Sequence, residues 1–177
     1  MDERDRLKAF EQRVLPHLDA AHNLARWLAG NDQDAQDVAQ EACLRAFKFF
    51  GGFRGDNPRA WLLAIVRNTF YSWLRKNRPG EALQELDDEA LEIADPSGAM
   101  ASLPARQDDA GAVRQAIANL PVEFREIVVL REMEGFSYKE IAGLMEVPIG
   151  TVMSRLARAR KLLHKQLSGE FKAGGRP

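Results

Sequence analysis

The sequence has little cysteine and no segment suited to crossing a membrane. Cys43 is the only cysteine in 177 residues, so an internal disulfide is excluded and a reducing compartment is favoured. No apolar run approaches the length of about 18 residues that a transmembrane helix needs. The charged stretch Met1–Arg6 also lacks the apolar core of a signal peptide. We therefore predict a soluble, cytoplasmic protein with no membrane segment of its own.

Groups that could support catalysis are also scarce. His17, His22 and His164 are the only histidines, and they do not share a ligand spacing with the lone cysteine. The spacings of a zinc site and of a phosphate-binding loop are absent. We predict no catalytic residues, no metal, no cofactor and no small-molecule substrate, and hence no enzymatic activity.

Charge is unevenly distributed along a chain whose net charge is only −1. Residues 51–80 hold six cations and one carboxylate, and residues 112–177 hold eleven cations and seven carboxylates. Between them, residues 81–111 hold nine carboxylates and one arginine. Two basic segments indicate a polyanionic partner, most simply nucleic acid, although solvated basic faces are the alternative.

Residues 8–78 are predicted to form a first helical domain. An apolar stripe at helical spacing ends at the pair Gly51-Gly52, after which Asn57 and Pro58 supply an N-cap and a first helical residue. In the helix predicted over 58–77, one stripe should pack inward: Leu62, Ile65, Val66, Thr69 and Trp73. A second stripe mixes aromatic, amide and cationic side chains: Trp61, Ala64, Asn68, Tyr71 or Ser72, and Arg75.

Two interpretations of this second stripe remain open. Trp61 could be a core residue whose polar neighbours face water. Alternatively the stripe is a single-stranded nucleic-acid platform, on which bases stack on aromatic rings and cations hold phosphates.

Residues 112–168 are predicted to form a second helical domain with a helix-turn-helix. Ser137 and Glu140 have the spacing of a capping box, and Pro148 must interrupt the helix that they open. A longer helix follows over about 151–167, with an apolar stripe inside and cations outside. In a helix-turn-helix the start of the second helix enters the major groove. An ordinary helical hairpin with a solvated basic face is the alternative.

The segment between the domains, 79–111, is predicted to be a flexible linker because it combines glycine, proline and unpaired carboxylates. The predicted fold class is thus all-α: two small helical domains joined by an acidic flexible linker. We find no alternating strand pattern in either domain.

Several motifs together resemble extracytoplasmic-function (ECF) sigma factors of the sigma-70 family. The second domain resembles sigma region 4 through Leu120-Pro121, Gly135-Phe136-Ser137, Glu140-Ile141-Ala142 and the stretch from Pro148 to Arg160. The first domain resembles sigma region 2 through Asp34–Glu41, Phe53–Asp56 and Trp61-Leu62 with Arg67–Thr69. The two regions occur in the order that the family has.

The resemblance implies three sets of binding residues. Region 2 would bind the clamp of RNA polymerase through Asp34, Asp37, Gln40, Glu41 and Arg45. It would melt the −10 element and capture a flipped base through Phe53, Arg54, Asp56, Asn57, Trp61, Asn68, Tyr71, Ser72, Arg75 and Lys76. Region 4 would bind the −35 duplex through Gly150, Thr151, Ser154, Arg155, Arg158 and Lys161.

The implied partners are core RNA polymerase, promoter DNA and a dedicated anti-sigma factor. Two other functions are compatible with parts of the sequence. A sigma-like decoy would occupy an anti-sigma factor without acting at promoters. A dimeric helix-turn-helix repressor would leave residues 8–78 unexplained.

Overall fold

The computed structural model describes residues 2–80 and 107–174, and the chain divides into two compact units. The described residues contain helices and no strand, which confirms the all-α prediction. The first unit has four helices: α1 (Glu3–Arg13), α2 (Leu18–Ala29), α3 (Asp32–Phe49) and α4 (Pro58–Asn77). One-turn 3-10 helices at Leu15–His17 and Phe50–Gly52 follow α1 and α3.

Local signals set the helix boundaries of the first unit. Gly30 ends α2 with a φ of 86°, a left-handed conformation that glycine adopts without strain. The Asn31 side chain accepts a hydrogen bond from the Asp34 backbone N–H, and the Asn57 side chain accepts one from Ala60. Pro58 occupies the first turn of α4, as the sequence predicts. The loop between Gly52 and Pro58 is therefore bounded by two fixed helix ends.

The core of the first unit lies between α2, α3 and α4. Its completely buried side chains include Leu24, Val38, Leu62, Leu63 and Val66. The predicted inward stripe of α4 is only partly right, because Ile65 and Trp73 are half-buried. Their place is taken by further buried residues that the stripe did not contain: Leu63, Phe70, Tyr71 and Leu74. A helix packed on two neighbours buries more than one stripe.

Helix α1 begins before residue 8, the predicted start of the first domain. Phe10 is 4% exposed, and its ring meets those of Phe47 and Phe50 edge-on, with centroids 5.2 and 5.6 Å away. Arg6 donates to the backbone carbonyls of Phe47 and Lys48, both at 2.7 Å. Since a cation that binds the last carbonyls of a helix is favourable, Arg6 stabilises the C-terminal end of α3.

The second unit contains α5 (Gln107–Ala118), α6 (Val122–Val128), α7 (Tyr138–Met145) and α8 (Ile149–Gly174). Helix α6 continues into one π-helical turn, Val129–Met133. The predicted stripe of α8 is buried, because Val152, Leu156, Ala159 and Leu163 are at most 3% exposed.

Three predicted boundaries in this part of the chain differ from the structure. Helix α8 starts at Ile149 rather than Thr151 and extends to Gly174 rather than Leu167. Helix α5 starts at Gln107, so the end of the predicted linker is helical. Residues 81–106, which make up most of that linker, lie outside the described residues.

The turn between α7 and α8 has the predicted start and stop signals. Ser137 accepts from the Glu140 backbone N–H at 3.1 Å, and the Glu140 carboxylate accepts from the Ser137 backbone N–H at 3.0 Å, which completes the capping box. Helix α7 ends at Met145, and its C-cap Glu146 is the only non-glycine residue described with positive φ, at 57°. Pro148 then begins the turn into α8, where its carbonyl accepts from Thr151 at 3.0 Å.

Ser137→Ala should destabilise the second unit by about 1 kcal/mol, because it removes an N-cap acceptor. The tryptophans, Trp27, Trp61 and Trp73, all lie in the first unit. The urea midpoint of the second unit, followed by circular dichroism, should therefore fall. The midpoint followed by tryptophan fluorescence should be unchanged. Equal shifts in both signals would contradict the assignment of this effect to the second unit alone.

Candidate nucleic-acid interface

The side of α8 opposite its buried stripe carries the residues predicted to bind duplex DNA. Gly150 and Lys161 are exposed, and a half-buried group lies beside them: Thr151, Ser154, Arg155 and Arg158. Residues 149–167 contain no carboxylate, so no acidic side chain of this stretch offsets the charge of its cations. The Ser154 hydroxyl donates to the Gly150 carbonyl at 2.8 Å, which leaves its oxygen lone pairs as acceptors.

The cations of α8 have different environments. Arg160 forms an ion pair with Glu132 at 2.9 Å, with both side chains largely covered. This pair joins α8 to the π-helical turn, so Arg160 has a structural role. Arg155 is half-buried, and its Nε is shielded from solvent without a hydrogen-bond partner among the described residues. Its terminal nitrogens are therefore the part of the side chain that could contact a base edge or a phosphate.

Two apolar side chains at the start of α8 were not among the predicted site residues. Ile149 is 44% exposed and Met153 is 37% exposed, and they lie one turn apart. Neither has a hydrogen-bonding group suited to a base edge, so only an apolar contact is available to them. Met153 lies outside the apolar stripe predicted for this helix, whereas Ile149 precedes its predicted start.

The residues predicted for the outer side of α4 reach the surface, except for Tyr71. Asn68, Arg75 and Lys76 are exposed, and Ser72 is half-buried. Tyr71, predicted on this face, is instead 6% exposed, because its ring packs edge-on against Phe70 at 5.3 Å. The Arg67 guanidinium lies 4.8 Å from the Tyr71 ring centroid and covers it.

The loop before α4 has an aromatic wall and exposed polar residues. The half-buried rings of Phe53 and Trp61 lie 4.8 Å apart, and Phe50 packs against both at 6.2 Å. Arg54 and Asp56 are exposed, whereas the Asn57 side chain is used as the cap of α4. Trp61 thus belongs partly to the packed cluster and partly to the surface, between the two interpretations left open above.

The five residues predicted on α3 divide into an exposed group and a tethered group. Asp37, Gln40 and Glu41 are exposed, beside Leu44, which is 63% exposed. Arg45 pairs with Glu41 at 3.2 Å and donates to the Thr69 hydroxyl on α4 at 3.4 Å.

Asp34 is held by partners within its own unit. Its carboxylate accepts from the Asn31 amide at 2.8 Å and from Arg78, beyond the end of α4, at 2.6 Å. The hydrogen bond from Asn31 is the main cause that lowers the pKa of Asp34, with a contribution from Arg78 and against an opposing effect of burial. Arg78 also donates to the Ala29 carbonyl at 3.2 Å and lies over the Trp73 ring. This junction fixes the ends of α2, α3 and α4 together.

No group of three or more potential metal ligands occurs among the residues that the structure describes. Within the same residues, no helix is both long and apolar enough to cross a membrane. Burial raises the pKa of the Cys43 thiol, which lowers the fraction of reactive thiolate at neutral pH.

Family models match both units. Sigma-70 region 2 matches residues 14–79, and Sigma-70 region 4 matches residues 110–163. The chain is 37% identical over 171 residues to the RNA polymerase sigma-H factor of Pseudomonas aeruginosa, covering 90% of this chain and 86% of that protein. It is 34% identical over 145 residues to the ECF RNA polymerase sigma-E factor of Escherichia coli K12, covering 76% and 74% respectively.

Solved structures give the same result. The sigma factor RpoE of Bartonella quintana, in complex with the anti-sigma factor NepR, has a TM-score of 0.69 at 30% identity, covering 91% of this chain and 98% of RpoE. CnrH, in complex with the cytosolic domain of CnrY, has a TM-score of 0.64 at 26% identity, covering 92% and 90%. This chain belongs to the sigma-70 family of RNA polymerase sigma factors, in its ECF group.

Asp34→Asn should lower the free energy of unfolding at neutral pH, and its effect should fade in acid. Because the folded state lowers the pKa of Asp34, the carboxylate stabilises the fold above the ordinary aspartate pKa of about 3.9. That stabilisation is lost as the pH falls through the lower pKa of the folded state. Urea midpoints followed by tryptophan fluorescence, at neutral and acidic pH, measure the difference from wild type.

Asp37→Asn is the matched control, because Asp37 is exposed on the same helix. It should change the midpoint little at either pH. A deficit of Asp34→Asn that stays constant down to strongly acidic pH would contradict the assigned role of the carboxylate.

Proposed function

We propose that this chain is an alternative sigma factor, which binds core RNA polymerase and directs promoter-specific transcription initiation. The observation that carries this proposal is the pairing, in one chain, of a region 2 unit with an aromatic and cationic surface and a region 4 unit whose helix-turn-helix has no carboxylate over residues 149–167 of its second helix. One surface suits melted DNA and the other suits duplex DNA.

The recognition of DNA is divided between the units. Helix α8 enters the major groove of the −35 element, with Gly150, Thr151, Ser154, Arg155 and Arg158 near the bases and Lys161 on a phosphate. The first unit melts the −10 element and holds its single strand against a surface made of Phe53, Arg54, Asp56, Asn57, Trp61, Asn68, Ser72, Arg75 and Lys76. Tyr71 supports this surface from below, since it is buried.

Core polymerase binds the outer face of α3. Asp37, Gln40 and Glu41 supply exposed polar contacts there, and Leu44 adds apolar area one turn beyond Gln40 and Glu41. Asp34 and Arg45 act mainly by fixing this helix, because both contact residues outside it.

The remaining partners follow from the same assignment. An anti-sigma factor binds the chain and blocks its access to polymerase, which the complexes of RpoE with NepR and of CnrH with CnrY support. The protein acts in the cytoplasm and is not an enzyme, since the polymerase catalyses RNA synthesis. It needs no cofactor and no small-molecule substrate.

Run-off transcription on a library of randomised promoters, with bacterial core RNA polymerase, tests the proposal. Transcripts that require this protein and share two sequence elements are the expected result, and they would identify both elements. Binding to core without any promoter-selective transcript would favour the decoy function. A chain that does not bind core polymerase at all would refute the sigma function.

Arg155→Lys and Lys161→Ala should affect −35 binding in different ways. Lysine keeps the charge of Arg155 but loses the guanidinium fork, so discrimination at one base pair should fall by about 1–3 kcal/mol. Lys161→Ala removes a phosphate contact, so affinity should fall for all sequences and the slope of log K against log salt should decrease by about 0.9. Holoenzyme binding to single-base promoter variants at several salt concentrations separates the two effects. If Arg155→Lys weakened binding to all sequences and Lys161→Ala reduced base discrimination, the two assigned roles would be contradicted.

A further inference from the structure

Arg13, the last residue of α1, reaches the loop that precedes α4. One of its terminal nitrogens donates to the Gly55 carbonyl at 3.1 Å, and its guanidinium carbon lies 4.9 Å from the centroid of the Phe53 ring. A single side chain therefore contacts both the backbone and the aromatic wall of this loop. Arg13 is 42 residues from Gly55 in sequence and precedes the segment that the region 2 family model matches.

Helix α1, which carries Arg13, is held in place by contacts with the end of α3. Arg6, Phe10 and Arg13 have the spacing i, i+4, i+7 and occupy one face of α1. Arg6 binds the carbonyls at the end of α3, and Phe10 is buried between the rings of Phe47 and Phe50. The side chain of Arg13 thus extends from an anchored helix onto the loop.

The loop at Gly55 is closely packed against Phe53. A Cβ built on Gly55 would lie 3.0 Å from the Phe53 ring, so glycine allows the backbone to fold over that ring. Phe53 in turn packs on Trp61, at 4.8 Å. Arg13 adds a third contact to this arrangement, because it binds the carbonyl of the same glycine.

We infer that Arg13 is a positioning residue for the loop before α4, whose proposed role is to capture the −10 base. It fixes the Phe53–Gly55 backbone, and thereby the direction in which Arg54 and Asp56 are presented. This inference rests on the proposed function of the loop. It assigns α1 a part in promoter selectivity, with no direct contact between Arg13 and a base.

The competing role for an exposed arginine beside a DNA surface is a phosphate contact. The two roles predict different measurements. Loss of a phosphate contact weakens binding to every sequence and lowers the salt slope, by about 0.7 for a single strand. Loss of a positioning contact spares the salt slope and selectively impairs discrimination at the captured base.

Arg13→Met, which keeps the length of the stem but removes the charge and the donors, should be tested in the holoenzyme. We expect discrimination at the captured −10 base to fall about tenfold, since small misplacements of a binding group have effects of that size or larger. Permanganate reactivity of the −10 thymines should decrease in the open complex. Core affinity, −35 discrimination and the salt slope should be unchanged. Arg4→Met is the matched control, because Arg4 is an exposed cation on the same helix.

Gly55→Ala provides a second test that alters no charge. The added methyl group displaces the Phe53 ring or the backbone, so it should produce the same selective −10 defect. Because both changes act through one loop, Arg13→Met combined with Gly55→Ala should be little worse than the stronger single variant. Gly55→Ala still tests the inference if Arg13→Met fails to fold.

Each unfavourable outcome has a distinct meaning. A uniform loss of affinity with a reduced salt slope would overturn the inference and make Arg13 a phosphate ligand. Unchanged −10 discrimination in both variants, on a promoter where wild type discriminates, would also overturn it. If the wild-type holoenzyme itself shows no dependence on the −10 base, the proposed function of the loop fails instead.

Discussion

Each unit is so small that burial of its apolar stripes decides which side chains remain available for binding. In α8 the buried stripe Val152, Leu156, Ala159 and Leu163 leaves the opposite side to Gly150, Ser154 and Lys161. Helix α4 packs against both α2 and α3, and it buries Phe70, Tyr71 and Leu74 in addition to part of its predicted stripe. This explains why Tyr71 is buried while Asn68, only three residues before it, is exposed. The binding surface thus consists of the side chains that the core does not bury.

Several residues assigned to binding also hold the fold together. Asn57 caps α4, Asp34 joins Asn31 to Arg78, and Arg45 bridges to Thr69. Substitution of such a residue changes stability and recognition at once. Asp37, Gln40, Lys161 and Arg54 are exposed, so their substitution isolates recognition more cleanly. Whether a binding residue also stabilises the fold depends on contacts between helices, and the residue type alone does not indicate it.

Features with local causes could be predicted from the sequence. The capping box of Ser137 and Glu140, the Asn57-Pro58 helix start and the buried stripe of α8 all follow from spacings of a few residues. The contacts of Arg6, Arg13 and Asp34 join residues more than 40 positions apart, and no periodicity encodes them. The domain pair itself was recognisable because its motifs extend over both units.

The energies involved indicate how far the influence of Arg13 extends. Ordering one residue of backbone costs about 1–2 kcal/mol. An exposed cation–π contact contributes about 0.5–1 kcal/mol and a typical hydrogen bond about 0.5–1.5 kcal/mol, so Arg13 can offset the ordering of about one residue. The rest of the loop must be fixed by Asn57 at its end and by the packing of Phe53 on Trp61. The aromatic wall is therefore the main support of the loop, and Arg13 adds a smaller contribution through its contacts with Phe53 and Gly55, which flank Arg54.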